Sequence, residues 1–229
     1  MTFYLDSVKA EKEQKKLIIC ADDFGYSPGV NKGIIKTLKK GVVSTAGVMI
    51  NSSFLKPVLT FYQQNPVYDL GLHLTLNLSE KRPLLDQLRE QVIKFERLFK
   101  QKPSHLSVHC PKKKADFLKK AGSKIGFCLK IISKKYQLYI RGEKSRKSFS
   151  FRAVKDVEQT KEAFKNIIGR LTKGINEMIV HPGEQNDSEL NSSYSAFLRQ
   201  METKVLTSKE MIEILKREKI RLCNYKIFY

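Results

Sequence analysis

A short apolar run followed by a longer amphipathic stretch recurs about six or seven times along this chain, and that alternation constrains its fold more than any other feature. Strand-like runs fall at 17–20, 42–50, 69–76, 105–109, 126–132, 177–180 and 220–223. Helical spacing or helix punctuation marks 31–40, 54–64, 84–100, 112–121, 157–171 and 208–217. Stretch 84–100 is the clearest, with apolar side chains at Leu84, Leu88, Val92, Phe95 and Phe99 on one face. Strands separated by helices pair in parallel, because a parallel neighbour is reached only through a crossover. The fold class expected is α/β, a parallel sheet either open or closed into a barrel. No Pro/Gly/Ser linker and no internal repeat divides the chain. It reads as one domain from residue 17 to 229 behind a polar extension, 1–16.

The ends of the runs carry the chemistry. The chain has four histidines, and three of them stop an apolar run: His73 after Leu70-Gly71-Leu72, His109 after Leu106-Ser107-Val108, and His181 after Met178-Ile179-Val180. Asp22 and Asp23 follow the first run in the same way. In a parallel sheet the carboxyl ends of the strands share one rim, and ligands bind there. Four separate segments would thus bring two carboxylates and three imidazoles together. One carboxylate and two imidazoles can hold a divalent cation and leave positions open for water and substrate. A second carboxylate beside the ion can take a proton from that water, and a remaining imidazole can serve a leaving amine.

Other classes fit less well. The formal charge of +20 invites nucleic acid or a polyanionic glycan, with 130–152 as the densest basic stretch. The excess is mostly lysine spread over nearly every segment, and no nucleic-acid-binding motif accompanies it. The basic, serine-containing stretch 141–150 reads as an exposed hairpin or loop. Asp22-Asp23-Phe24-Gly25 contains the Asp-Phe-Gly of protein kinases, but the chain has no glycine-rich phosphate loop and no His-Arg-Asp loop. The cysteines Cys20, Cys110, Cys128 and Cys223 are scattered without CxxC pairing, and Cys20 and Cys128 are expected as buried thiols. No run approaches a membrane span, and residues 1–16 lack a secretory apolar core, so a cytoplasmic protein is expected.

The run Leu17 to Ile34, with Ala21-Asp22-Asp23-Phe24-Gly25-Tyr26-Ser27-Pro28-Gly29-Val30-Asn31 at its centre, closely resembles the opening motif of the YdjC-like (ChbG-type) carbohydrate deacetylases. Gly41-Val42-Val43-Ser44-Thr45, Asn51, Leu70 to Asn77, Arg82-Pro83-Leu84, Pro103 to Leu106, Val180-His181-Pro182-Gly183, and Arg199, Glu202 and Leu206 extend the resemblance to the chain's end. It implies a distorted TIM-like (β/α) barrel and a hydrolase of carbohydrate metabolism that removes an N-acetyl group from an amino sugar. One divalent metal ion, magnesium or zinc, would be held by Asp23, His73 and His109. Asp22 would be the general base, and His181 would act at the leaving group. The partner implied is an acetylated carbohydrate, and a homodimer is left open.

Departures from the family pattern motivate the alternative of a degenerate member that binds sugar or metal without turnover. On the third histidine strand the usual aspartate is Ser107, and Cys110-Pro111-Lys112-Lys113 replaces later histidines. Lys130 stands where an arginine is usual, and the segment between Leu84 and Pro103 is shorter than in typical members.

Overall fold

The computed structural model describes residues 14–109, 114–185, 187–190 and 193–229. Its strands are β1 (Lys15–Phe24), β2 (Thr45–Val48), β3 (Asp69–Leu74), β4 (Leu106–Val108), β5 (Lys147–Ser150), β6 (Gly174–Val180) and β7 (Arg221–Cys223). The helices between them are α1 (Pro28–Lys40), α2 (Leu55–Gln64), α3 (Leu84–Phe99), α4 (Lys114–Tyr136), α5 (Val157–Gly169), α6 (Ser193–Leu206) and α7 (Lys209–Arg217), with a closing 3-10 turn at Tyr225–Phe228. All strand pairs are parallel, in the order β4-β3-β2-β1-β6-β5, with β7 against the first half of β1. The sheet curls into a half-barrel, which is the distorted barrel expected.

Central strand β1 shows why the core divides in two. Leu17, Ile19 and Ala21 face the helices in the large outer core, while Ile18 and Cys20 face inward with Tyr139 and Tyr225. Alternate side chains of a strand point to opposite faces, and here both faces are covered. The chain's end fills the concave side: the Tyr225 ring lies 4.0 Å from His105 and the Phe228 ring 4.2 Å from Tyr139, centroid to centroid. Gly71 makes room there, since a Cβ at that position would stand 2.1 Å from His105 Nδ1.

One segment reaches across the concave side from edge strand β4 to β6. Leu106 N–H donates to Tyr139 O at 2.8 Å, Arg141 N–H to Leu106 O at 3.0 Å, and the Tyr139 hydroxyl to Glu177 Oε1 at 2.9 Å. Thus 139–141 leans from β4 toward β6 and brings Arg141 inside.

Two sequence expectations are corrected. Residues 126–132, read as a strand, lie within α4, where Ile125, Cys128 and Ile132 are buried at helical spacing and Phe127 faces outward. A short apolar run suits either structure, and only the packing decides. The stretch 141–150, read as an exposed loop, ends in β5, which pairs with β6 and buries Phe149. Cys20 and Cys128 are buried free thiols as expected, whereas Cys110, Cys110 to Lys113 and residues 1–13 lie outside the described residues. No helix among the described residues is long and apolar enough to cross a membrane.

Candidate metal and hydrolytic site

The five residues singled out by strand-end position come from four strands of the sheet, β1, β3, β4 and β6. Asp22 and Asp23 lie in the last part of β1, His73 near the end of β3, His109 just past β4, and His181 just past β6. Ala21 is in register with Val180, which sets His181 beside Asp22, and His73 is in register with Ser107.

Adjacent residues of a regular strand cannot both face one side. The sequence reading ended the first strand before the two aspartates; in the structure β1 continues through them with a bulge. Ala21 pairs with Ala46 and Phe24 with Val48, so β1 holds one residue more than β2 between those pairs. Asp23 occupies the left-handed region at φ 70°, which re-aims its carboxylate. Asp22 and Asp23 are both buried, and both reach the histidines.

Around Asp23, His109 Nδ1 lies 3.0 Å and His73 Nε2 3.3 Å from Oδ1, and Arg199 Nη2 lies 2.6 Å from Oδ2. One donor atom each from Asp23, His73 and His109 fall within 4.8 Å of one another. A carboxylate and two imidazoles this close can hold a divalent cation, and the nitrogen-rich set suits a zinc-like ion better than magnesium.

Asp22 meets the other ring nitrogen of His73. Its Oδ1 accepts from Arg141 Nη1 at 2.5 Å, and its Oδ2 is 3.8 Å from His73 Nδ1. Burial alone would raise the Asp22 carboxyl, but the Arg141 charge, followed by His73, outweighs it and holds the group well below the usual carboxylate range. Asp23 is likewise held well down: burial opposes ionisation, and the hydrogen bonds from His109 and His73 and the Arg199 charge overcome it. The bond to Asp23 raises His109. Burial pushes His181 down to about 3, so its ring is neutral, and among the described residues its buried Nδ1 has no hydrogen-bond partner.

Ser107, where the family pattern has aspartate, sits 2.8 Å from His73 Nδ1. A hydroxyl that accepts from Nδ1–H fixes the ring and leaves Nε2 free to ligate. Lys130, by contrast, is exposed on α4, and the guanidinium beside Asp22 comes from Arg141. Sequence reasoning placed Arg141 in a basic loop, although it stops the apolar run Leu138-Tyr139-Ile140 just as the histidines stop theirs. Arg199 and Glu202 had no such signal, because they project from a helix. Glu202 Oε2 accepts from the His181 backbone N–H at 2.5 Å.

On the other flank, buried amides secure the loop after β3. Gln91 Oε1 accepts from Thr75 N–H at 3.0 Å and its Nε2 donates to Thr75 O at 2.7 Å. Gln87 grips Asn77 in the same two-way manner, at 3.0 Å for each bond.

Known proteins share this architecture and the motifs on it. The model of the YdjC-like protein family matches residues 16–90. A carbohydrate deacetylase from Thermoanaerobacter pseudethanolicus is 28% identical over 93% of this chain and 99% of its own. A solved structure from Enterococcus faecalis, provisionally described as a cellobiose-phosphate cleavage protein, superposes with a TM-score of 0.66 at 22% identity, covering 94% of this chain and 99% of that one. A family 4 acetyl xylan esterase from Clostridium thermocellum, solved with a cobalt ion, has the same fold at a TM-score of 0.54 and 12% identity, over 93% of this chain and 89% of its own. The opening motif on β1 thus matches the YdjC-like family, and the chain is similar to a carbohydrate deacetylase over nearly all of its length.

Proposed function

We propose that this protein is a metal-dependent carbohydrate N-deacetylase, which hydrolyses an N-acetyl amide on an amino sugar to acetate and a free amine. The observation that carries the reading is the grouping of Asp23, His73 and His109 beside a second, ionised carboxylate, Asp22. The curated relatives matched along the chain are named carbohydrate deacetylases, which supports the substrate class.

In this reading Asp23, His73 and His109 hold one divalent ion, which when bound polarises the acetyl carbonyl and acidifies water. Zinc is favoured over magnesium by the two imidazoles. Asp22, kept unprotonated by Arg141, accepts the proton of the attacking water. Its low proton affinity makes it a modest base, so orientation by the short Arg141 contact matters as much as basicity. His181 is neutral at rest. Its part is to hydrogen-bond the departing amine nitrogen and pass on a proton received during the reaction. Ser107 keeps the His73 tautomer that ligation needs. That contact counts against the non-catalytic reading, in which the altered histidine strand binds without turnover, as far as Ser107 motivates it.

The test is acetate release from N-acetylglucosamine oligomers by chelator-stripped protein, with and without one equivalent of zinc. Release only with the ion is expected. Equal release without it removes the metal from the reading, and none with zinc, magnesium or cobalt across the panel overturns it.

A further inference from the structure

Helix α6 sends three polar side chains, Arg199, Glu202 and Thr203, from one face into the rim, at the i, i+3, i+4 spacing that aligns them. Arg199 reaches Asp23. Thr203 Oγ1 accepts from Gly183 N–H at 2.9 Å and lies 2.8 Å from Gly183 O. Glu202 is 1% exposed and links the segments just past the paired ends of β5 and β6. Its Oε2 accepts from His181 N–H at 2.5 Å, at the end of β6, and its Oε1 from Ala153 N–H at 3.4 Å, past the end of β5.

We infer that Glu202 is a positioning residue for the hydrolysis: its carboxylate clamps the ends of β5 and β6 together and so sets the His181 ring against the Asp22–Asp23 pair. The inference rests on the deacetylase reading. Several features support it. Both groups facing the carboxylate are N–H donors, so two acceptor oxygens are needed, and an amide would turn its own NH2 toward one of them. The turn that carries His181 is held on its other side by α1, where a Cβ on Gly33 would come within 2.4 Å of Gly183 Cα. The His181 Nδ1 has no hydrogen-bond partner among the described residues, and the His181 backbone N–H is held by Glu202. Finally, a buried carboxylate is a poor stabiliser. Burial pushes Glu202 up to about 7, despite its backbone bonds and the nearby Arg152 and Arg199. A group retained against that penalty, at the base of a rim residue, fits function better than folding.

The experiment compares wild type, Glu202→Gln and Glu202→Asp, each loaded with zinc. In the Glu202→Gln variant kcat is expected to fall about 100-fold, the loss typical of a misplaced group. KM and zinc affinity should stay within about twofold, since neither the ligands nor the binding face is touched. The melting temperature should hold or rise, an outcome a purely structural role does not give. Glu202→Asp keeps the charge but withdraws it by one methylene, and should show the same kcat loss. Undiminished kcat in both variants, or a kcat loss matched by equal losses of zinc affinity or stability, overturns the inference. So does failure of both variants to fold. Wild type inactive across the substrate panel would instead sink the deacetylase reading itself.

Discussion

The two halves of the chain meet at the site by different means. Residues 15–109 deliver Asp22, Asp23, His73, Ser107 and His109 from the ends of three strands, β1, β3 and β4, and secure the nearby loop with neutral amides, Gln87 and Gln91. Residues 138–206 contribute only His181 from a strand end; their other groups are Arg141 from a bridging segment and Arg199 and Glu202 from a helix. The first half thus supplies a set of donors that could hold a metal ion. The second supplies charge, which keeps Asp22 ionised, adds to the histidine bonds on Asp23, and ties down the rim. The family model matches residues 16–90, inside the first half. Strand-end chemistry tolerates little change because each residue sits at a fixed register. A charge arriving on a long side chain can come from more than one place, as Arg141 does here in preference to Lys130.

The largest test of this division is Asp22→Asn. Loss of the proposed base should lower kcat for acetate release by about 100- to 10,000-fold with the fold intact by circular dichroism, and near-wild-type turnover would remove Asp22 from that role. Next is Arg141→Met. If the second half's cation is what makes the Asp22 charge tolerable, removing it leaves that charge buried and alone. A loss of about 3–5 kcal/mol in urea unfolding is expected, and a change below about 1 kcal/mol would mean Asp22 finds another partner.

Ser107→Ala sharpens the comparison within the first half. Without its hydroxyl on Nδ1, His73 should bind metal about 10- to 100-fold more weakly in a chelator competition, and Ser107→Asp should restore or exceed wild-type affinity. Unchanged affinity in the alanine variant would leave the ring oriented by packing alone. Gln91→Leu tests whether the amides are structural only. Thr75 loses both partners, so stability should fall by about 1–3 kcal/mol with kcat unaltered.

The remaining test is a pH slope. Glu202 has a folded value raised to about 7 from 4.5, so the folded state holds its proton more tightly than the unfolded chain. Its contribution therefore falls as pH rises from 4.5 to about 7 and is level outside that window. Stability measured from about pH 4.5 to 7 should accordingly fall less, or rise more, with pH in Glu202→Gln than in wild type. Parallel curves would mean the carboxyl titrates normally in the folded protein.

Much of the site was legible because apolar runs stopped by His or Asp mark strand ends, and parallel strands gather those ends on one rim. Asp23, His73 and His109 converge on that ground. The same rule applied to Leu138-Tyr139-Ile140 would have found Arg141. It was missed because its neighbours are lysines and serines that read as a solvated loop. Arg199 was beyond any local rule: it acts on a residue 176 positions away, from a helix whose phase shows nothing about its target. The helix mistaken for a strand at 126–132 failed for a related reason, since a compact apolar run fits either period until its neighbours are known.

What the sequence determined by itself was the alternation that makes a parallel α/β sheet, the strand-end placement of two carboxylates and three imidazoles, and the likeness to YdjC-like proteins. What only tertiary structure decided was how those groups are set. The β1 bulge and the left-handed Asp23 turn two consecutive carboxylates to the histidines, where a regular strand would point them apart. The Ser107 contact, the Arg141 and Arg199 charges and the Glu202 clamp complete the site across long gaps in the chain. Pattern in a sequence reports which face a residue takes. The strength of a charge's surroundings depends on burial and on partners that only the packed fold brings near.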